Sequence, residues 1–330
     1  MITPKLDSAL DCANSLDEIV MNILDEEGTG TRILESLIGD DKIEEAIEKL
    51  EKNLEDMKFL KDMPKNLVNL NDKEYITDQA IGRSILIEEM ERTLLKMNKP
   101  NILLLGEAGV GKTALVEGLA YKIKNGDVND LLKNSIILSV SSSQLVSGTR
   151  YRGEFEEKVE NLCNYLKRNP RVILFIDEMH TTIGAWGAEG AIDMANILKP
   201  YLARGEIRVI GATTLKESKV IESDSAYTRR FTKIIIDEPT MTNVNKILEL
   251  SLPKFEKFYN IKIDKKLCSV IANESRNLQG KFPDKAIDLL ENICADTLWH
   301  NEKTFSKKDV ERISEELQEK QKRNVVMEDV

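Results

Sequence analysis

The sequence predicts an α/β protein with a helix-covered parallel sheet, followed by a smaller, all-helical unit. Between about Ile76 and Glu238, short apolar runs alternate with stretches of helical periodicity, which is typical of a parallel sheet covered on both faces. After Pro239 the pattern is helical throughout. The predicted strands are residues 101–105, 135–140, 172–176, 207–211 and 232–236, and the predicted helices of the second unit are 243–258, 265–278, 283–299 and 307–323.

The first part of the chain shows helical spacing of apolar residues among alternating Glu and Lys, with no strand signal. This pattern lapses around Met63-Pro-Lys-Asn66, where we place a linker. The predicted organisation is therefore a helical N-terminal domain (1–63), a linker (64–75), a large α/β subdomain (76–238), a small helical subdomain (239–312) and a C-terminal helical tail (313–330).

Composition narrows the class of protein. The 330-residue chain has a formal net charge of −10, which argues against nonspecific binding to nucleic acid or to an anionic membrane. Its four cysteines are scattered without a CxxC pair, so we expect neither a zinc site nor a disulfide framework. No stretch approaches the roughly 18 apolar residues that span a bilayer, and we predict a soluble, cytoplasmic protein.

A glycine-rich segment, GEAGVGKT, lies between a predicted strand and a predicted helix. The motif alone also suits a plain glycine-rich turn, but the flanking strand and helix favour a loop that binds the phosphates of a nucleoside triphosphate. Its glycines let successive N–H groups point at phosphate oxygens, Lys112 reaches the β- and γ-phosphates, and the Thr113 hydroxyl ligates Mg²⁺. The predicted binding residues are Gly106, Glu107, Ala108, Gly109, Val110, Gly111, Lys112, Thr113 and Ala114.

Two acids follow the continuous apolar run 172–176. Two acids can merely end a core strand, yet at the carboxyl end of a buried parallel strand they face the crevice where such sheets bind ligands. Asp177 is then placed to hold Mg²⁺, and Glu178 to orient and deprotonate the attacking water. Together with the phosphate loop, these acids predict an ATPase that uses ATP and Mg²⁺.

Several long segments resemble the first nucleotide-binding ring of Clp-family AAA+ protein unfoldases: GRSILIEEMERTL, GEAGVGKTALVEGLA, SGTRYRGEFEEKV, VILFIDEMHTTIGA and PDKAIDLL. They agree in order and spacing from about Ile81 to Leu290. The resemblance implies a fold with an AAA+ P-loop NTPase core and a small helical subdomain. It corresponds to a shortened, single-ring form, in which residues 1–63 are similar to part of the Clp N-terminal domain.

The resemblance also implies roles for residues outside the phosphate loop. Thr214 resembles the sensor 1 residue, which contacts the γ-phosphate or the catalytic water. Arg229 and Arg230 resemble arginine fingers that reach into the ATP site of the next subunit, although an Arg-Arg pair could also be solvated surface. Ile81 and Gly82 resemble the strip that packs on adenine.

Tyr151, with Arg150, Arg152 and Gly153 beside it, resembles the first pore loop, in which an aromatic side chain grips translocating polypeptide. A Tyr between two Arg could also contact nucleic acid, but the acidic residues that follow and the resemblance point to protein. Trp186 lies where the family has a second pore-facing loop.

In the second unit, Asp284 and Lys285 occupy the place of the sensor 2 arginine of other AAA+ modules. The alternative for both is a structural role at a helix start. The resemblance as a whole implies a ring that hydrolyses ATP and threads protein substrates through its pore. We expect this ring to be a hexamer. The alternative function is an accessory or regulatory subunit that joins full-length Clp assemblies or their adaptors. A nucleic-acid remodeller is disfavoured by the net charge.

Overall fold

A twisted sheet forms the centre of the part of the chain that the structure describes. The structure is a computed structural model and describes residues 67–75, 80–141, 152–182 and 194–328, which belong to the unit Asn66–Val330. The predicted N-terminal helical domain, 1–63, lies outside the described residues. Within them the strand order is β1-β3-β4-β5-β2-β6. The strands are β1 (Val68–Asn69), β2 (Asn101–Leu105), β3 (Ile136–Val140), β4 (Val172–Ile176), β5 (Arg208–Thr213) and β6 (Phe231–Ile235).

All the pairings among the five strands from β2 to β6 are parallel, as the alternating strand and helix signals predict. Every residue of β2 and β4 is buried, which explains why these two strands are continuous apolar runs. The connecting helices are α1 (Ser84–Leu94), α2 (Lys112–Lys124), α3 (Arg152–Arg168), α4 (Met194–Arg204), α5 (Ser218–Glu222) and α6 (Ser225–Thr228). The predicted α/β fold class is confirmed.

One segment differs from the sequence interpretation. Residues 64–75 carry no strong periodicity and were predicted to be a linker. In the structure Val68 and Asn69 pair antiparallel with Ser139 and Leu138 of β3, and a 3₁₀ turn over Leu70–Asp72 follows. A two-residue strand is too short to show alternation, so only its pairing with β3 reveals it.

A helical lid follows the sheet. It comprises α7 (Met241–Tyr259), α8 (Leu267–Glu274), α9 (Asp284–Trp299) and α10 (Lys307–Glu328). These confirm the four predicted helices, although α10 runs without a break across position 313, where a separate tail was expected. The lid has a hydrophobic core of its own, which includes Val244, Leu248, Ile271, Leu289 and Ile293.

The strand order decides where the candidate site lies. Since β5 pairs with both β2 and β4, the carboxyl ends of these three parallel strands lie side by side. The segments that leave them are the glycine-rich loop after β2, the acidic pair after β4 and the two threonines that end β5 and begin the following turn. This edge is where ligands bind in open α/β sheets.

Candidate functional site

The glycine-rich loop has a backbone that only glycine adopts readily. Gly109 and Gly111 have φ values of 80° and 91°, and Gly111 caps the amino end of α2. A Cβ atom on Gly106 would lie 2.7 Å from the carbonyl oxygen of Ile236. The loop therefore leads directly into the amino terminus of α2, where unpaired N–H groups and the positive end of the helix dipole favour an anion.

Lys112 folds back over this loop. Its Nζ donates hydrogen bonds to the carbonyl oxygens of Gly106 (2.9 Å) and Glu107 (3.0 Å). Burial lowers the pKa of Lys112, while the charges of Asp177 and Glu217 act in the opposite direction. The ammonium group thus lies between the loop and the acids that follow β4 and β5.

Thr113, at the start of α2, is hydrogen-bonded to Asp177, which follows β4. The Thr113 hydroxyl donates to Oδ2 of Asp177 at 2.8 Å, and the backbone N–H of Glu178 donates to Oδ1 at 2.9 Å. Both carboxylate oxygens are oriented by these contacts. A hydroxyl and a carboxylate are hard oxygen donors that suit Mg²⁺, which proteins commonly bind with one or two carboxylates plus phosphate oxygens. The described residues hold no group of three or more His, Cys, Asp or Glu side chains fit for a metal, so the pair fits an ion shared with phosphate rather than an all-protein cage.

Glu178 has a left-handed backbone with φ of 49°, which is uncommon for a residue other than glycine. Its carbonyl oxygen accepts hydrogen bonds from the N–H (2.8 Å) and the hydroxyl (2.7 Å) of Thr181. The 3₁₀ turn over Met179–Thr182 follows directly. Backbone strain of this kind concentrates at functional sites, where surrounding contacts hold it.

Thr214 lies at the neighbouring strand end, beside a carboxylate that sequence reasoning missed. Its hydroxyl donates to Oε2 of Glu217 at 2.8 Å, and Nδ1 of His180 lies 3.3 Å from the same oxygen. Nδ1 of His180 is also 3.0 Å from Oγ1 of Thr213. The hydrogen bond from Thr214 lowers the pKa of Glu217. The Thr-x-x-Glu spacing of 214 and 217 is a helix-capping signal that could have drawn attention to Glu217.

The predicted adenine strip packs beside the loop and under the lid. Gly82 has φ of 69°, and a Cβ atom there would lie 2.2 Å from the Asn243 side chain of α7. Arg83, also missed from the sequence, donates to the carbonyl oxygens of Val110 (2.6 Å) and Asp237 (3.1 Å). Ile81 is half-buried. Ile81 and Gly82 therefore adjoin a residue that is hydrogen-bonded to the phosphate loop.

The two sensor 2 candidates, Asp284 and Lys285, contact different parts of the chain. The Asp284 N–H donates to the Gly109 carbonyl oxygen at 3.4 Å, so the start of α9 touches the loop. Lys285 instead donates to the carbonyl oxygens of Arg276 and Leu278 at 3.3 Å and lies 4.4 Å from the centre of the Phe282 ring. The carbonyl oxygens of the lid thus hold the Lys285 ammonium group, an arrangement that fits the alternative of a structural role at the helix start.

Arg229 and Arg230 do not join the phosphate loop of their own chain. They precede Phe231, which pairs with Asn101 at the amino end of β2, whereas the loop leaves the carboxyl end. The carbonyl oxygen of Arg230 accepts a hydrogen bond from Nδ2 of Asn101 at 3.3 Å. Arg229 is exposed.

Of the predicted pore residues, Arg150 and Tyr151 lie outside the described residues, as does Trp186. Arg152 is the first residue of α3. Gly153 follows it in the first turn and is exposed, with no atom within 4 Å of a Cβ placed on it. The role of this segment stays a prediction.

Comparison with known proteins decides the family. Residues 102–238 match the model of the ATPase family associated with various cellular activities (AAA), and residues 240–329 match an AAA lid domain. The chain is an AAA ATPase of the Clp type. It is 43% identical over 269 residues to the chaperone protein ClpB of Helicobacter hepaticus, which covers 80% of this chain and 30% of the relative. It is 43% identical over 235 residues to the Clp protease ATP-binding subunit ClpE of Bacillus subtilis, covering 71% and 34%.

Among solved structures, this AAA ATPase is similar to Hsp104 in a closed-state reconstruction with ATPγS and FITC-casein. The TM-score is 0.70 at 31% identity, covering 77% of this chain and 45% of that one. The chain spans about a third of the length of each of the two curated relatives. In the described ranges no helix is long and apolar enough to cross a membrane.

Proposed function

We propose that this AAA ATPase hydrolyses ATP between neighbouring subunits of a ring and uses the energy to thread protein substrates through the ring's centre. The observation that carries the proposal is the contact of Thr113 with Asp177, next to Lys112 and Glu178, at the edge of the sheet where the glycine-rich loop ends. These are the groups that phosphate binding and water activation require.

The phosphates of ATP bind to the loop N–H groups at the start of α2. Lys112 is held by two backbone carbonyl oxygens, which are weaker partners for an ammonium group than charged phosphate oxygens are. We therefore expect Lys112 to exchange these carbonyls for the β- and γ-phosphates. We expect Ile81 and Gly82, which adjoin Arg83 and through it the loop, to pack on the base.

Thr113 and Asp177 are the residues that would hold Mg²⁺. When bound, the ion neutralises charge that develops on the phosphate oxygens. Asp177 is prepared for this role because its two oxygens already face the Thr113 hydroxyl and the Glu178 N–H.

Glu178 takes the proton of the attacking water. Its left-handed backbone is held by Thr181, so the side chain leaves the strand end in one defined direction. A carboxylate is an effective general base when it lies within hydrogen-bond reach of the water. Removing its charge is expected to leave ATP bound and unhydrolysed.

The arginine pair serves a neighbouring subunit. In the parallel pairing of β2 with β6, Arg230 lies beside Asn101, and five residues of β2 separate that point from Gly106. At about 3.3 Å per residue the separation is roughly 16 Å, which is longer than the side chain of an arginine. An arginine supplied in trans stabilises charge on the transferred phosphoryl group and makes hydrolysis depend on assembly.

A protein is the proposed substrate. The chain shares its ATPase module with Hsp104, whose solved structure contains casein, and with ClpB, which is named a chaperone. The segment 150–153 of this chain carries the aromatic and arginine residues expected of a pore loop. The cytoplasmic location and the hexameric state remain predictions of the sequence.

Ring formation is tested by light scattering on Glu178→Gln protein with and without Mg-ATP. We expect a shift to about six times the monomer mass, because trapped ATP gives the trans contacts time to form. The control is Lys112→Ala/Glu178→Gln, which should stay at the mass of the nucleotide-free chain. A Glu178→Gln protein that binds ATP yet stays monomeric would favour the accessory-subunit alternative, in which another Clp protein completes the ring.

Threading is tested by ATP-driven unfolding of a fluorescent model protein. Tyr151→Ala should abolish unfolding while ATP turnover stays within about threefold, because an aromatic side chain supplies contact area that alanine lacks. Tyr151→Phe keeps the ring and is expected to unfold the substrate at nearly the original rate. Unchanged unfolding by Tyr151→Ala would disprove the threading mechanism.

A further inference from the structure

Thr214 and Glu217 form a capping box at the exit of β5. The Glu217 N–H donates to Oγ1 of Thr214 at 3.2 Å, and the Thr214 N–H donates to Oε2 of Glu217 at 3.3 Å. The N–H of Ser218, the first residue of α5, donates to the carbonyl oxygen of Thr214 at 2.9 Å. Up to this point the pair only starts a short helix.

A further hydrogen bond goes beyond the capping box. Oγ1 of Thr214 donates to Oε2 of Glu217 at 2.8 Å, the shortest of the contacts between these two residues. A threonine hydroxyl has one proton and two lone pairs. The Thr214 hydroxyl donates this proton in a hydrogen bond to the Glu217 carboxylate, and one of its lone pairs accepts a hydrogen bond from the Glu217 N–H. One lone pair is left, and it can only accept a hydrogen bond.

Other groups keep Glu217 in place as a charged acceptor. Oγ1 of Thr213 lies 3.4 Å from the same oxygen, and Nδ1 of His180 lies 3.3 Å from it. Hydrogen bonds to an ionised carboxylate are roughly twice as strong as neutral ones, so the Thr214 proton is well held. Thr213 pairs with Leu105 at the carboxyl end of β2, so Thr214 and this carboxylate lie beside the start of the phosphate loop.

We propose that Thr214 accepts a hydrogen bond from the attacking water and does not donate one to the γ-phosphate, because Glu217 holds its only hydroxyl proton. Phosphate oxygens only accept hydrogen bonds, so they have no use for a lone pair, whereas water can donate to it. One O–H of the water then points to Thr214 and the other to Glu178. Glu178 takes its proton as the oxygen attacks the γ-phosphorus and the bond to ADP breaks.

In this arrangement Glu217 is a positioning residue that acts through Thr214. The inference rests on the proposed ATP site and selects one of the two sensor 1 contacts that the sequence left open. It also predicts behaviour that a simple helix cap does not have, namely an effect on discrimination between nucleotides with and without a γ-phosphate.

The test compares the affinities of the full chain for ATPγS and ADP, measured with Mg²⁺ by competition against a fluorescent nucleotide. Thr214→Val removes the hydroxyl and keeps the shape of the side chain. We expect the ratio of the two affinities to stay within about twofold of the original, because no γ-phosphate bond is lost. A tenfold loss of preference for ATPγS would overturn the proposal, since it would show a donated bond to that phosphate.

Glu217→Ala, in contrast, should change the ratio of the two affinities. It frees the Thr214 proton, and the preference for ATPγS should rise by about tenfold, the size of one hydrogen bond to a charged group. Part of any rise comes from removing a negative charge, and this part persists in Glu217→Ala/Thr214→Val. The difference between the single and the double variant therefore isolates the hydroxyl. Equal rises in both would overturn the role of Glu217.

Glu222→Gln is the matched control, since it removes a partly exposed carboxylate that pairs with Lys233 in the same region. We expect its nucleotide preference to be unchanged. The ratio of the ATPγS and ADP affinities is measured within one variant, so a loss of stability from the broken cap does not alter it. Thermal melting measures that loss of stability separately. A wild-type chain that binds neither nucleotide would refute the ATP site itself, an outcome distinct from a wrong assignment of Thr214.

Discussion

Gly109 shows how a single residue connects the phosphate loop to the lid. Its φ of 80° requires a backbone that other residues adopt with strain, and a Cβ atom there would lie 2.7 Å from Cβ of Asp284. Gly126, after α2, has a similar φ of 71° but no atom within 4 Å of such a Cβ. The two glycines therefore share a left-handed backbone that would strain any other residue, and they differ in packing.

Gly109→Ala and Gly126→Ala separate these two effects. Each should cost about 1 kcal/mol of stability through the left-handed backbone. Only Gly109→Ala should also push the start of α9 away from the loop, so we expect its ATP affinity to fall at least tenfold, while that of Gly126→Ala stays unchanged. Thermal melting and nucleotide titration measure the two quantities. Equal losses of affinity would show that the contact with Asp284 has no part in binding.

At the scale of the element, α6 is a four-residue helix that ends directly before Arg229. Its N-cap is Asp224, whose Oδ1 accepts the Tyr227 N–H at 3.0 Å and whose other oxygen pairs with Lys199. Tyr227 is fully buried and its ring centre lies 5.2 Å from that of Phe231. A helix this short has little stability of its own, so its cap and its buried tyrosine hold it in place.

Asp224→Ala should cost about 1 kcal/mol through loss of the cap, whereas Asp224→Asn keeps an acceptor and should cost less. The hydrogen bond from Lys199 lowers the pKa of Asp224 in the folded chain. Its charge therefore stabilises the fold above the unfolded pKa of about 3.9, and this contribution is lost as the pH falls through the lower, folded value. Urea unfolding should show the gap between wild type and Asp224→Asn closing below about pH 4. A gap that stays constant from pH 7 to pH 3 would contradict this account.

At the scale of the whole molecule, the sheet separates the phosphate loop from the arginine pair. The phosphate loop leaves one edge, and the arginine pair lies at the other, as the pairing of Asn101 with Phe231 fixes. In the proposed ring, a single chain would therefore contribute the phosphate loop to one site and the arginine pair to another. This geometry is the reason why we expect turnover to depend on assembly.

Mixing two inactive variants tests that dependence. Glu178→Gln lacks the base, and Arg229→Ala/Arg230→Ala lacks the trans cations, so each alone should lose at least about 100-fold in turnover. In mixed rings some sites combine an intact Glu178 with intact arginines of a neighbour. We expect ATP hydrolysis to reappear on mixing, with a maximum near equal amounts. If the mixture stays as inactive as its components although both variants assemble, the arginines do not act in trans.

Much of the fold follows from local patterns. The strands from 101 to 236 were predicted within one or two residues. The clearest of them, β2 and β4, are buried throughout and are therefore continuous apolar runs. The glycine-rich loop, with Lys112 and Thr113, was found because its motif consists of consecutive residues. The four lid helices follow from apolar residues repeating at helical spacing.

By itself, then, the sequence determined the α/β class, the phosphate loop and the acids after β4, since each is written in neighbouring residues. Only the tertiary structure decided which distant groups meet. It brought His180 to Thr213 and to Glu217, joined Arg83 to the loop and added β1 to the sheet. These contacts depend on strand order and on the packing of the lid, in which the partners are far apart along the chain, so no local periodicity encodes them.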